Sequence, residues 1–378
     1  VLPVYLDANA TTGQLASVMH AVGEVVAMGP LNASSAHSAG DVARRILVDA
    51  RETTAGAISA DDPDNIVFTS SGTEANNLVI NGFAELPGAL LIYSAVEHLS
   101  VTAPCEAHGG TVLRVDADGL IDLAELGHFL SSVGEDIPVL VCVQAANSET
   151  GVIQPLSEIR AVCHGRARTW LHVDAAQALG RMPLDTSMAD SISASAHKLH
   201  GPLGVGMLYI EESLFELLPV TSRGGGQERG FRSGTQNLPG IAGFARALAA
   251  RFENLNGAVS AMADMRDMFE RAVVQGIPGA SVVGSRSPRL PNTSNIMFPG
   301  QDAMALMARL DEAGVISSNG SACSSMRPVP SRVLREMGLS EKDAYSCLRF
   351  SVSIQNTPDE IVRAARIVVD EVMRKAAA

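Results

Sequence analysis

Apolar, strand-like runs alternate with helix-like stretches over the first part of the chain: Asn65 to Ser70, Leu90 to Ala95, Thr111 to Val115, Val139 to Ala145, Trp170 to Asp174, Ser191 to Ala196 and Val205 to Ile210. This alternation predicts an α/β sheet, largely parallel. After Gly224-Gly225-Gly226 the pattern changes to an Ala-rich helical stretch, Leu238 to Leu255, and then to a mixed region. Helix signals follow at Asp302 to Ala313 and at Thr357-Pro358-Asp359-Glu360, where Thr caps, Pro takes the first helical position and Glu closes a capping box. A chain of 378 residues has room for two domains. The expectation is a large domain over residues 15–250 with a mostly parallel seven-stranded sheet, a smaller α+β domain over 251–378, and an N-terminal segment, 1–14, packing with the smaller domain.

In open α/β sheets the residues just past the strand ends line the ligand crevice. Asp174 ends one such run and Lys198 closely follows the next, 198 − 174 = 24 residues later. A lysine amine can hold pyridoxal phosphate as a Schiff base, while a carboxylate can keep the ring nitrogen protonated so that the ring accepts electrons. Ser71-Gly72-Thr73-Glu74 follows a strand and opens a helix, so its backbone N–H groups and the Thr73 hydroxyl suit a phosphate. The same residues also fit an ordinary capping box, Ser71 with Glu74. His98 follows another strand, where an imidazole can stack on a flat ring or move a proton. Gln177 is placed to donate to a phenolic oxygen, and Ser195 and His197 flank Lys198 within reach of a phosphate.

Composition narrows the class. A formal charge of −13, from 28 basic and 41 acidic residues, disfavours a polyanion, so nucleic acid is not the expected partner. No run is long and apolar enough for a membrane span, and the opening residues lack a basic stretch followed by an apolar one; a cytoplasmic enzyme is expected. The cysteines, Cys105, Cys142, Cys163, Cys323 and Cys347, are scattered without a Cys-x-x-Cys pair, against a disulfide framework or a structural zinc site.

Taken together, these segments resemble the NifS/IscS-like cysteine desulfurases of the class V aminotransferase superfamily, enzymes of PLP fold type I. The similarity runs almost end to end, through Tyr5-Leu6-Asp7-Ala8-Asn9-Ala10-Thr11-Thr12, Asn32 to His37, Phe68 to Asn77, Glu97-His98, Asn147-Ser148-Glu149-Thr150-Gly151, Asp174 to Gln177, Ser195 to Pro202 and Gly224 to Thr235. The resemblance implies that Lys198 carries the cofactor, Asp174 pairs with its ring nitrogen, Gln177 contacts its phenolic oxygen and His98 stacks on the ring. It implies a phosphate held by Thr73, Ser195 and His197, with Thr235 reaching the phosphate of a partner subunit in a homodimer. Ser148 stands where relatives often have a longer Asn that contacts the cofactor, and Leu203 stands where many carry Lys.

Cys323 lies in the polar, Gly- and Pro-bearing segment Ser317 to Pro330, expected to be exposed and mobile. The resemblance makes it the nucleophile of a desulfurase with a long catalytic loop. Cys142, inside Val139 to Val143, reads as a packed strand residue. Arg349 alternates with apolar neighbours, and its guanidinium fork suits either an amino-acid carboxylate, with Asn32 assisting, or a structural salt bridge. The implied reaction takes L-cysteine to L-alanine, leaves a persulfide on Cys323, and passes the sulfur to an acceptor or scaffold protein for iron–sulfur assembly or thiolation. A selenocysteine lyase, an aminotransferase and a slow sulfur-relay scaffold are the alternatives.

Overall fold

The computed structural model describes residues 2–320 and 330–376. Its strands are β1 (Val4–Tyr5), β2 (Ile66–Thr69), β3 (Leu90–Ser94), β4 (Thr111–Leu113), β5 (Val139–Gln144), β6 (Thr169–Asp174), β7 (Ser191–Ser195), β8 (Gly206–Ile210), β9 (Ser281–Val282), β10 (Thr293–Met297), β11 (Val315–Ile316) and β12 (Cys347–Ser351). Seven of them form the central sheet in the order β2-β8-β7-β6-β5-β3-β4. Its pairings are parallel except that β8 runs antiparallel to both β2 and β7. This is the mostly parallel seven-stranded sheet that the alternating pattern predicts.

Both faces of the sheet are covered, which explains why its strands read as continuous apolar runs. Side chains alternate in direction along a strand. On β5, Val139, Val141 and Val143 join a core containing Val18, Leu47 and Phe244, whereas Leu140 and Cys142 join one containing Val79, Phe83 and Val101. The Ala-rich stretch forms the helix Leu238–Phe252, which packs in the first of these cores; a second helix, Leu255–Gly276, starts at an Asn254 cap.

A separate core gathers Phe269, Phe298, Leu306, Phe350 and Val368 from the C-terminal part together with Val4 and Leu6 from the other end of the chain. There β1 pairs in parallel with β11, Val4 opposite Val315. The capping box seen in the sequence forms: Glu360 N–H donates to Thr357 Oγ1 (3.3 Å) and Thr357 N–H to Glu360 Oε2 (3.0 Å), opening the helix Pro358–Ala376.

Asn9 ties the N-terminal segment to both parts. Its amide donates to Ser148 O (3.1 Å) and Thr293 Oγ1 (2.9 Å), and its Oδ1 accepts from Asn292 Nδ2 (2.9 Å) and Arg181 (3.1 Å). With Asn9 only 1% exposed, each unmade bond would leave a buried polar group unpaired.

The start of β8 abuts the turn that precedes the helix Gly72–Ala84. A Cβ on Gly206 would lie 2.5 Å from the Ser71 carbonyl carbon and 2.8 Å from Ala194 O, both backbone atoms that cannot swing away. Gly206→Ala is therefore expected to destabilise the cofactor-free protein by about 1–3 kcal/mol. Denaturant unfolding checks this, and an unchanged midpoint would contradict the close approach.

Candidate active site

The residues that follow the C-terminal ends of β2, β3, β5, β6 and β7 meet at one cavity of about 490 Å³, where an open α/β sheet places its ligand crevice. Lys198, Asp174, Gln177, Ser195, His197, His98, Thr73, Ser148 and Arg349 all line it. Asn32 and Thr235 do not line it: both are exposed, and Asn32 Oδ1 accepts from Ser34 N–H (2.9 Å). Cys323 lies outside the described residues, but Gly320 and Pro330, which bracket its segment, are both on the cavity wall.

Lys198 ends a single 3₁₀ turn, Ala196–Lys198, directly after β7. Its amine donates to Asn9 O (2.5 Å) and Ala10 O (2.9 Å), so the chain's opening segment closes over it. Burial, reinforced by the Arg349 and Arg181 guanidiniums, pulls its pKa down to about 8, against the opposing pull of Asp174 and Asp7. About a tenth of the amine is thus neutral at pH 7, far more than for an ordinary lysine, which favours attack on a carbonyl.

Asp174 ends β6 and is held by a buried polar lattice. Its Oδ2 accepts from Asn76 Nδ2 (2.9 Å) and its Oδ1 from Ala176 N–H (2.9 Å). His172, two residues earlier on the same strand face, reaches Asn76 Oδ1 through Nε2 (2.9 Å) and Ser191 Oγ through Nδ1 (2.8 Å). Burial pushes the His172 pKa down to about 4, so the ring is neutral and its proton sits on Nε2 as donor to Asn76.

His98 caps the helix Leu99–Ala107, and its Nδ1 accepts from Ser100 N–H (3.1 Å) with Ser100 Oγ 2.8 Å away. Burial lowers its pKa, with Lys198 and Arg332 adding to the effect and Asp174 opposing it. The neutral ring carries its proton on Nε2.

At the other end of the cavity the helix Gly72–Ala84 begins. Ser71 Oγ accepts from Glu74 N–H (3.1 Å), one half of the expected capping box, while the Glu74 carboxylate reaches one residue further back, to Ser70 N–H; Ser71, Gly72 and Thr73 at this helix start also face the cavity. Ser195 Oγ accepts from Gly72 N–H (2.7 Å), linking β7 to that turn. His197 Nδ1 lies 3.1 Å from Thr11 Oγ1, and burial, with Lys198 and Arg181 nearby, drives its pKa down to about 4.

Gln177 Nε2 donates to Asn9 O (3.0 Å) and its Oε1 accepts from Arg181. Arg349, on β12, pairs with Asp7 (2.6 Å) and donates to Ser148 O (3.0 Å), while its buried Nε has no partner among the described residues. The salt bridge and a position on the cavity wall therefore coexist. Residue-by-residue reading missed Asn76, Ser100 and His172, and also Glu97 and Glu149, two cavity-lining carboxyls whose pKa values burial raises.

The class-V aminotransferase family model matches residues 4–363. A cysteine desulfurase from Nostoc sp. is 36% identical over 98% of this chain and 93% of its own length. A NifS-like protein from Rickettsia africae superposes with a TM-score of 0.88 at 31% identity, covering 98% of this chain and 99% of that one. The structure of SspA in complex with cysteine gives a TM-score of 0.79 at 30% identity, covering 93% and 99%. Fold and site thus define a class-V, pyridoxal-phosphate-dependent architecture. Within it, the chain belongs to the cysteine desulfurase family.

The residues present fit that cofactor: a buried amine of lowered pKa, a carboxylate braced by donors, and a helix start share one cavity. Because only the neutral amine attacks a carbonyl, loading of the cofactor-free protein should speed up as pH rises through about 8 and level off above it. Stopped-flow absorbance across pH checks this; a rise centred near 10.5, the ordinary lysine value, would contradict the buried-amine assignment.

Proposed function

We propose that the protein is a cysteine desulfurase in which Lys198 and Cys323 divide the work: Lys198 handles the α-proton of L-cysteine and Cys323 takes its sulfur. The observation that carries this reading is the single cavity in which the buried Lys198 amine shares walls with braced Asp174 and with both flanks of the Cys323 segment. Pyridoxal phosphate, when bound, supplies an electron sink for charge developing at the substrate Cα.

Lys198 would hold the cofactor, Asp174 its ring nitrogen, and Gln177 its phenolic oxygen, with Ser148 on the adjoining wall. Thr73, Ser195 and His197 would hold the phosphate, joined by Thr235 from the partner subunit of a homodimer. The substrate carboxylate goes to Arg349, whose buried Nε has no partner among the described residues.

Lys198 Nζ takes the proton from Cα. His98, protonated on Nε2, serves the substrate sulfur and Cβ. Cys323 thiolate attacks that sulfur; the Cβ–S bond breaks and its electron pair stays with carbon, Cβ takes up one proton, and Lys198 returns the other to Cα, completing L-alanine. The sum is L-cysteine plus a Cys323 thiol giving L-alanine plus a Cys323 persulfide. The other cysteines are buried, and burial pushes Cys163 and Cys347 up to about 12 and Cys142 well above its ordinary value, the opposite of what a nucleophile needs. The persulfide then passes to an acceptor protein. Free, unpaired thiols at the described cysteines support a reducing cytoplasmic setting, and no described helix is long and apolar enough to cross a membrane.

Cys323→Ser is expected to cut both sulfide and alanine formation from L-cysteine by more than about 100-fold, while L-cysteine still perturbs the visible band of the bound cofactor. Parallel product assays check this. Turnover at the parent rate would point instead to an aminotransferase, and loss of the band in wild-type protein would remove the cofactor reading.

A further inference from the structure

One buried amide joins two titratable groups of the cavity, Asp174 and, through Ser100, His98. Asn76 is fully buried on the helix Gly72–Ala84, does not line the cavity, and uses all of its hydrogen-bonding capacity. Its Nδ2 donates to Asp174 Oδ2 (2.9 Å) and to Ser100 Oγ (2.8 Å); its Oδ1 accepts from His172 Nε2 (2.9 Å) and from the Ser193 hydroxyl. The sheet register supplies those donors: His172 lies opposite Ser191 and Asp174 opposite Ser193, so all four side chains share the face that the helix covers.

The direction of every bond follows. The Asp174 carboxylate can only accept, which fixes the Asn76 amino group toward it and Ser100 and the Asn76 oxygen toward His172 and Ser193, both of which then donate. Ser100 Oγ, already accepting from Asn76, turns its own hydrogen to His98 Nδ1 (2.8 Å). We propose that Asn76 is a positioning residue that sets two protonation states together: it favours the charged Asp174 carboxylate beneath the cofactor's ring nitrogen and the Nε2-protonated, neutral form of His98. This rests on the assignment of Asp174 and His98 made above. Donated hydrogen bonds favour a carboxylate's ionised form, and a bond donated to imidazole nitrogen favours the neutral ring. The charged groups facing His98 are Asp174, Lys198 and Arg332, with the buried carboxyl of Glu97 next to it in the chain. Asn76 reaches His98 only through Ser100.

The test uses two variants of the full chain and two NMR readouts. The ring nitrogen of ¹⁵N-labelled pyridoxal phosphate is observed in the loaded protein, and the His98 titration is followed in the cofactor-free protein. In Asn76→Ala the ring-nitrogen signal is expected to move toward its unprotonated position and the His98 midpoint to rise. The kcat should fall roughly tenfold or more, as for loss of a hydrogen bond to a charged group, with KM little changed. In Ser100→Ala only the His98 midpoint should rise. Should Asn76→Ala not fold, Ser100→Ala still decides the His98 branch, and an unmoved midpoint there overturns the proposal. A protonated ring nitrogen in wild-type protein that stays protonated in folded Asn76→Ala overturns it while leaving the Asp174 assignment standing. An unprotonated wild-type nitrogen, or no cofactor binding at all, sinks that assignment and this proposal with it.

Discussion

The site depends on keeping an amine out of water without letting it become a permanent cation. An ammonium taken from solvent loses several kcal/mol of hydration even after the protein relaxes. Around Lys198 the two nearby guanidiniums, Arg181 and Arg349, add repulsion, and among the described residues only the Asn9 and Ala10 carbonyls hydrogen-bond the amine directly. The balance leaves the amine ready to act as a nucleophile. It also explains the unusual course of the chain: the N-terminal segment crosses to the C-terminal core through β1, and Asn9 is then bonded to Arg181, Asn292, Thr293 and Ser148 so that its carbonyl is held over the amine.

On the same cavity wall, a different solution holds a carboxylate. Asp174 is braced by neutral donors, Asn76 and the Ala176 N–H, rather than by a direct contact with a cation. Arg349 is employed the other way: Asp7 at 2.6 Å and the Ser148 carbonyl at 3.0 Å fix its orientation on the cavity wall. Each charged group at the cavity is thereby oriented by a partner from a distant part of the sequence.

That distance sets what could be read from the sequence. Strand runs and the residues just past their ends were legible, because continuous apolar runs and a strand-end ligand crevice are local signals; Lys198, Asp174, Gln177, Ser195 and His98 came from them. Boundaries shifted slightly, as where Val205 precedes β8 rather than opening it. The lattice behind Asp174 was not legible, since Asn76 meets His172 and Ser193 only once the helix lies on the sheet. A signal was nonetheless present: Asn is a poor helix former, and a pair of them, Asn76-Asn77, inside a helix calls for a tertiary partner. Arg349 looked like either a carboxylate site or a salt bridge, and its geometry accommodates both. Asn32, Thr235 and Cys323 came from family resemblance rather than local chemistry. The first two do not line this cavity, Thr235 being expected at a partner subunit's site, and the third lies outside the described residues.

The claim on which everything else rests is that Lys198 is the residue that carries the cofactor. The chain has three lysines, Lys198, Lys342 and Lys375, which makes a direct measurement clean. Borohydride reduction of the protein loaded with pyridoxal phosphate, followed by peptide mass mapping, should find the phosphopyridoxyl group on the peptide containing Lys198 at close to one per chain. Its appearance on Lys342 or Lys375 instead, or on no lysine, would contradict the account.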